Sequence, residues 1–229
     1  MLRRIKEKYR RFSKGYKSGG VEYILYMVSS YVPPWFFFYA HQTLVTIHRP
    51  EIKAREYDGY RVRAATTDDI ESLAELGVFS RDKIRRRLDL GHACTVVVKD
   101  GRIVSTGWAA TGRIFVKLGG SIIDMGDEAV FVDGLYTIPA ERMKGLFASV
   151  LKAEYEHFVP QGRNRIYGVI DSINKNSMTS HLRMGFEPAG ETRYLILAGV
   201  SLCYYKYWPQ KMPKLHVFVG RPPDNLEWV

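Results

Sequence analysis

The residues best suited to chemistry lie between Ile138 and Ala148, in the stretch IPAERMKGLFA, which follows an apolar strand and opens a helix. A strand-to-helix turn directs several unpaired backbone N–H groups and the positive end of the helix dipole toward one point. Gly145 lets the backbone approach a ligand closely, and Arg142 and Lys144 add positive charge. The stretch therefore predicts an anion site that suits a pyrophosphate. The R-x-x-G spacing alone is also typical of an ordinary basic first turn of a helix.

A second polar segment follows one predicted strand later. Asn174-Lys175-Asn176-Ser177 begins another helix, which carries His181 and ends near Gly185-Phe186. Two successive strand-to-helix turns therefore hold the polar groups that could bind a ligand.

The elements that must position these turns follow from hydrophobic periodicity and turn signals. In chain order we predict a strand from Tyr60 to Thr66-Thr67, a helix capped by Thr67 or Asp68, a helix over Arg81–Leu90, a hairpin turning at Lys99-Asp100-Gly101, a strand over AVFVDGLYTI, a helix over Arg142–Phe158, a strand over Arg165–Ile170, a helix over Asn174–Met184, and strands over Tyr194–Ala198 and Ser201–Trp208. This order predicts an α/β fold with a mixed sheet and helices on its faces.

The two polar segments resemble the signature of the GNAT superfamily of acyl-CoA-dependent N-acetyltransferases. That signature is a strand ending in V-x-P, then R/Q-x-x-G-x-G/A, and after the next strand an N-x-x-A/S helix that ends in G-F. Residues 137–147 match the first half, and Asn174, Ser177 and Gly185-Phe186 match the second. The resemblance covers roughly residues 60–208 and implies a GNAT-like, mostly antiparallel central sheet flanked by helices.

Two residues depart from the family pattern. Phe147 stands where the family usually has Gly or Ala, which would crowd the phosphate loop or shift it toward Ala148. His181 stands where many members place a Tyr that protonates the departing CoA thiolate.

The resemblance implies acetyl-CoA as the acyl donor and no metal. The end of the strand would pair with the pantetheine arm and polarise the thioester carbonyl through a backbone N–H. The turn would hold the pyrophosphate, and Asn174 would touch the pantetheine or position the acceptor. The implied donor-binding residues are Leu135, Tyr136, Thr137, Arg142, Met143, Lys144, Gly145, Leu146, Phe147, Asn174 and Ser177.

The implied reaction is direct attack of an amine on a thioester. An alkylamine is mostly protonated at neutral pH, so a base must take a proton, often through water. Asp133 is the first candidate base, with Glu128 and Asp127 behind it, and a solvated acid at a strand end is the other interpretation of Asp133. His181 is the candidate acid, unless it is an ordinary histidine on a helix surface.

The composition indicates a folded protein: of 229 residues, 46% are hydrophobic and 25% are charged. Cys94 and Cys203 lie far apart, and the six His residues have no ligand spacing, so neither a disulfide framework nor a zinc site is predicted. A reducing, cytoplasmic setting fits this cysteine usage best.

The net charge of +10 is concentrated near the N-terminus, since residues 1–50 contain nine Lys/Arg and two acids. We therefore predict an N-terminal basic, aromatic-rich, helical extension over residues 1–56, a GNAT-like acyltransferase domain over 57–229, and no nucleic-acid partner. A helix is expected over Val21–Tyr31 and an extended segment over Leu44–Ile47. The Pro33-Pro34 pair and several polar residues argue against a membrane span.

The sequence is compatible with three functions. The first is an acyl-CoA-dependent N-acyltransferase that acetylates a primary amine on a small molecule or peptide. The second uses a long-chain acyl group on CoA or acyl carrier protein, and the third is an inactive membrane-peripheral binding module. Residues 1–42 would bind an acyl carrier protein or the inner face of an anionic membrane. Alternatively, their aromatic residues would pack on the acyltransferase domain or in the interface of a homodimer.

We expect the run Arg85-Arg86-Arg87 to lie on a solvated helix face. Alternatively, these residues border the acceptor pocket.

Overall fold

The computed structural model describes residues 16, 19–55, 57–116, 121–206, 215–219 and 227–228. The chain divides into two compact units that interleave along the sequence. The first unit comprises Met1–Val45, Phe115–Ile123 and Val169–Val229, and the second comprises Thr46–Ile114 and Asp124–Gly168. The boundary predicted after residue 56 stays a prediction.

The helices and strands follow one another in this order: α1 (residues 19–31), β1 (Phe37–His48), β2 (Tyr60–Ala64), α2 (Ile70–Glu75), α3 (Arg81–Asp89), β3 (Ala93–Lys99), β4 (Arg102–Ala110), β5 (Arg113–Val116), β6 (Ser121–Asp124), β7 (Ala129–Thr137), α4 (Leu146–Phe158), β8 (Arg165–Asp171), α5 (Lys175–Arg183), β9 (Glu187–Leu197), β10 (Val200–Lys206), β11 (Leu215–Val219) and β12 (Glu227–Trp228). Short 3-10 turns cover Thr67–Asp69, Pro139–Glu141 and Val159–Gln161.

The second unit is built on a sheet in the order β8-β7-β4-β3-β2. Strands β2, β3, β4 and β7 pair antiparallel with their neighbours, and β7 pairs parallel with β8. The sheet is mixed and largely antiparallel, and helices flank it, which confirms the predicted fold class.

Helices cover both faces of this sheet because neighbouring strand residues point to opposite sides. On one face, Ile84 of α3 packs in a cluster with Val96 and Trp108. On the other face, Val150 of α4 packs with Val97. Each face therefore has its own apolar core.

The turn between β3 and β4 has the form that its sequence predicts. Lys99 pairs with Arg102, and the two residues between them, Asp100 and Gly101, have φ values of 49° and 74°. A two-residue turn with both residues in the left-handed region matches the twist of a hairpin.

The first unit contains α1 and strands in the order β11-β10-β9-β1. β10 pairs antiparallel with both β9 and β11. Helix α1 confirms the prediction over 21–31, but β1 begins at Phe37 and is much longer than the predicted 44–47. β9 likewise begins seven residues before the predicted Tyr194.

Two predicted helix starts are wrong. Thr66 caps the turn before α2 in place of Thr67 or Asp68, because the Asp69 carboxylate accepts from the Thr66 N–H at 2.8 Å. Helix α4 begins at Leu146 and not at Arg142, because Met143 and Gly145 have φ values of 66° and 76°, which no right-handed helix accommodates.

Within the described ranges, no helix has the length and apolar character needed to cross a bilayer.

Candidate functional site

The turn between β7 and α4 has an irregular backbone with two left-handed residues. After the 3-10 turn Pro139–Glu141, Arg142 is extended, with φ −68° and ψ 164°. Met143 and Gly145 then adopt positive φ before α4 begins. A Cβ on Gly145 would lie 3.6 Å from the Tyr57 hydroxyl, an ordinary contact, so backbone conformation and not crowding favours glycine there.

Four consecutive backbone amides of this turn are available for a ligand. Ala148 and Ser149 donate their N–H groups to the Gly145 carbonyl, at 2.9 and 3.4 Å. Within the described residues, the N–H groups of 143–146 donate to no acceptor. The Met143 side chain is 99% exposed and Gly145 is exposed, so the turn faces solvent. Open amides at the N-terminus of a 13-residue helix form a favourable place for an anion.

Phe147 does not displace this turn by a residue. It lies half-buried in the first turn of α4. The N–H of Ala148, toward which a shift was predicted, is bonded to the Gly145 carbonyl. The anion site therefore ends before Ala148.

The charge of Lys144 is shared with an acid that the sequence analysis did not single out. Lys144 Nζ lies 2.6 Å from Glu141 Oε2, and Lys99 Nζ lies 2.9 Å from Glu141 Oε1. The Tyr60 hydroxyl also donates to Glu141 Oε2. These hydrogen bonds, with Lys144 first, lower the pKa of Glu141 to about 2. Two lysines and one carboxylate leave a net charge of one positive unit beside the turn.

Arg142 braces the turn and keeps its cationic end in solvent. Its Nε donates to the Thr137 carbonyl at 3.0 Å, and its guanidinium lies 5.9 Å from the centre of the Tyr136 ring. The side chain is exposed, so it can contact an anion held by the amides.

Strand β7 contains a bulge just before the turn. Thr106 pairs with Tyr136 but Trp108 pairs with Asp133, so two residues of β7 face Gly107 alone. Gly134 in the bulge has φ 58°. A bulge bends the strand and redirects the side chains that follow.

The same strand loses its partner on the other side. The register between β7 and β8 runs from Ala129↔Arg165 to Val132↔Gly168. Within the described part of the second unit, residues 133–137 therefore pair with β4 only. An open strand edge offers backbone N–H and C=O groups to an extended molecule.

Asp133, the predicted base, is held in an ion pair. Arg87 donates to both carboxylate oxygens, at 2.8 and 2.7 Å, and its Nε donates to His92 Nδ1 at 3.1 Å. Arg87 is 1% exposed and lies 4.6 Å from the centre of the Trp108 ring. The arrangement favours a positioning role for Asp133, and its role as a base stays a prediction.

The expectation of a solvated face for the Arg85–Arg87 run is wrong for Arg87. Arg87 follows Ile84 by three residues, so both side chains point to the sheet. Trp108 and Asp133 supply the stacking surface and the charge that allow the guanidinium to be buried.

The structure does not bring Glu128 or Asp127 to the turn. Both are exposed and precede β7, at the opposite end of the strand from Thr137. At the rise of a β-strand, nine residues separate Glu128 from Thr137 by about 30 Å. This placement does not support either residue as a base acting at the turn.

The second predicted segment lies in the first unit. Asn174 caps α5, and its Oδ1 accepts from the Ser177 N–H at 3.2 Å. The oxygen is thus used in capping, while the contacts predicted for Asn174 and Ser177 with a donor stay predictions.

His181 is a buried residue and not the surface histidine that one interpretation expected. Its Nδ1 lies 2.8 Å from the Ser177 carbonyl, and its ring packs edge-on to Phe186 with centroids 5.0 Å apart. A carbonyl only accepts, so Nδ1 carries the proton. Burial lowers the pKa of His181, which favours a neutral imidazole at pH 7. A neutral ring is a weak acid, so the geometry does not favour the predicted role.

Three residues near the turn could not all be found from the sequence. Glu141 had a visible signal, since Glu141 and Lys144 are three residues apart in one basic turn. Tyr60 and Lys99 had none, because only the register between β2 and β3 places them opposite each other. Across the described residues, no three His, Cys, Asp or Glu side chains form a group that could hold a metal ion.

Solved structures share this fold. A putative GNAT-family acetyltransferase from Novosphingobium aromaticivorans aligns with 16% identity and a TM-score of 0.52, over 71% of this chain and 67% of its own. A conserved protein of unknown function from Staphylococcus epidermidis aligns with 12% identity and a TM-score of 0.52, over 69% and 62%. A tandem GNAT protein from the clavulanic acid biosynthesis pathway aligns with 14% identity and a TM-score of 0.50, over 65% and 50%.

No protein-family model matches the chain, and no curated protein matches it. The chain has the fold of the GNAT superfamily, as the resemblance predicted. It spans half to two thirds of the length of these three structures. At such low identity the likeness establishes the fold, while activity has to be argued from the site.

Proposed function

We propose that this chain is an acyl-CoA-dependent N-acyltransferase that transfers an acetyl group to a primary amine. One observation carries the proposal: the open amides of residues 143–146 lie at the N-terminus of α4, directly after the open edge of β7. An anion site next to a strand edge suits a ligand with a phosphate group at one end and an amide-containing arm at the other.

The turn supplies the groups that a pyrophosphate needs. The amides of residues 143–146 would donate to its oxygens, and the exposed Arg142 guanidinium would contact it from the side. Lys99 and Lys144 share one carboxylate, so their excess positive charge favours an anion in the same place.

The open edge of residues 133–137 would hold the pantetheine arm. The arm contains amide groups, which can pair with backbone N–H and C=O groups as an added strand does. The bulge at Gly134 turns the backbone of Leu135 out of the regular ladder. A backbone N–H at this bend would polarise the thioester carbonyl.

The reaction needs a deprotonated amine. Its nitrogen lone pair attacks the carbonyl carbon, the new C–N bond forms, the C–S bond breaks, and the thiolate of CoA takes up a proton. Water at the site can carry the proton away from the amine. Asp133 is paired with Arg87, and in this step its role would be to hold the bulge of β7 in place.

Titration with acetyl-CoA tests the site directly. The unmodified protein should bind with a dissociation constant in the micromolar range. Gly145→Glu should weaken binding by more than about tenfold, because its carboxylate would occupy the space of a phosphate and repel it. Gly162→Glu is the matched control: Gly162 has φ 82°, is exposed and follows the other end of α4. It introduces the same charge and a similar backbone strain away from the turn.

Equal affinity in the two variants would overturn the assignment of the turn. Thermal unfolding of both variants shows whether each one folds. Acetyl-CoA and long-chain acyl-CoA compared in the same titration separate the two donors that the sequence left open.

A further inference from the structure

Helix α1 has its polar side turned toward the protein. The Tyr26 hydroxyl donates to the His41 carbonyl at 2.9 Å, and the Ser29 hydroxyl oxygen accepts from the Tyr39 N–H at 2.8 Å. Glu22 Oε1 lies 2.8 Å from His41 Nδ1. Residues 22, 26 and 29 lie on one face of a helix, so α1 is attached to the first unit by polar contacts.

The apolar side of α1 faces solvent. Residues 21, 24, 28 and 31 recur at helical spacing on the face opposite Glu22. Val21 is 67% exposed and Tyr31 is 78% exposed. A helix on the surface of a globular protein normally has the reverse orientation, so this face is built to meet something apolar.

The exposed face continues past the end of the helix. Trp35 is 67% exposed and Phe36 is 49% exposed, and their rings lie 5.9 Å apart. The Phe36 and Trp35 carbonyls accept from the backbone N–H groups of Ala198 and Gly199 at the β9–β10 turn. The turn adds two exposed apolar side chains, Leu197 and Val200. We define the α1 face as Val21, Ile24, Val28, Tyr31, Trp35 and Phe36.

The chain that precedes this face is strongly basic. Residues 1–17 contain eight Lys/Arg and one Glu. In the sequence, this basic segment ends four residues before Val21. Apolar and interfacial aromatic side chains beside clustered positive charge are the combination that binds anionic membranes.

We propose that the α1 face, together with residues 1–17, binds the surface of an anionic membrane. The alternative is that the α1 face binds a second copy of the chain. It is disfavoured here because a dimer through α1 would bring two strongly basic segments together, whereas anionic lipid neutralises them. This inference concerns where the protein resides and does not rest on the proposed function.

Vesicle co-sedimentation with the full chain tests the proposal. We expect binding to vesicles of phosphatidylcholine with about a third phosphatidylserine, much weaker binding to phosphatidylcholine alone, and loss of binding as salt rises. Val28→Ser with Trp35→Ser should reduce binding by about tenfold, because both side chains are exposed and would enter the interface. A variant with Gln at Arg3, Arg4, Arg10 and Arg11 should lose the preference for phosphatidylserine.

Val62→Ser with Val159→Ser is the matched control, since these valines are 39% and 43% exposed and lie in the second unit. It should bind vesicles as the unmodified protein does. The proposal is overturned if the unmodified chain ignores phosphatidylserine vesicles, or if the Val28 and Trp35 variant binds them equally well. It is also overturned if that variant only converts a dimer to a monomer in light scattering, which would assign the face to a second copy.

Discussion

The Arg87 guanidinium meets both carboxylate oxygens of Asp133, at 2.8 and 2.7 Å, one residue before the bulge in β7. The contact joins α3 to β7 next to Gly134. Within the described strand β7, Gly134 is the only residue with a positive φ. Arg87 is buried and Asp133 nearly so, so water screens the pair weakly. The ion pair therefore fixes the segment of β7 that opens toward the anion site.

Removing one partner of this pair should destabilise the fold strongly. Arg87→Met leaves the Asp133 carboxylate without its partner, and we expect the free energy of unfolding to fall by about 3–5 kcal/mol. Arg81→Met is the control, because Arg81 and Glu71 form an exposed pair whose loss should cost less than about 1 kcal/mol. Urea unfolding measures both, and equal losses would contradict the role given to Arg87.

Glu141 should make stability depend on pH in the acid range. Its pKa is lowered from 4.5 to about 2 by Lys144, Tyr60 and Lys99. The unfolded chain therefore takes up this proton first as pH falls, and the stabilisation present above pH 4.5 is lost between pH 4.5 and 2. The melting temperature of the unmodified protein should fall more steeply over this interval than that of Glu141→Gln. Parallel curves for the two proteins would show that the three contacts do not hold the carboxylate ionised.

The local parts of the fold could be predicted from sequence because local chemistry decides them. Asp100-Gly101 determines its own hairpin turn, and residues 70, 73 and 76 signal the helical segment through spacing alone. The GNAT signature likewise lies in short segments around Gly145 and Asn174. Each of these patterns is complete within a dozen residues.

The contacts between distant residues could not be predicted in this way. Arg87 looks like part of a charged surface until Asp133, 46 residues away, is placed beside it. Tyr60 and Glu141 are 81 residues apart and meet only when β2 lies beside β3. Such pairs follow from the topology, which a single sequence does not encode in any local pattern.

Glu154 should produce a pH dependence of the opposite sign. This side chain of α4 is 1% exposed, and burial raises its pKa from 4.5 to about 7, although hydrogen bonds with Thr95 act in the opposite direction. Between these values the folded protein holds a proton that the unfolded chain has released, so stability falls as pH rises from 4.5 to 7. The loss should total roughly 3 kcal/mol.

Comparison with Glu154→Gln isolates this contribution from those of other groups. The difference in unfolding free energy between the two proteins should change across pH 4.5–7 and stay constant above pH 8. Glu156→Gln, on the exposed side of the same helix, should show no such change. A constant difference between the unmodified protein and Glu154→Gln would mean that Glu154 is ionised in the fold.

A side chain at Gly107 should destabilise the fold, because Gly107 lies between the bulge of β7 and α4. A Cβ at this position would be 2.5 Å from Val150 Cγ1 and 2.6 Å from Leu135 Cδ2. Gly107→Ala should therefore cost about 1–3 kcal/mol through overpacking. Val150→Ala removes one of the two clashing atoms, so the double variant should lose less stability than the two single variants together. Strictly additive losses of stability would show that a Cβ at residue 107 does not press on Val150.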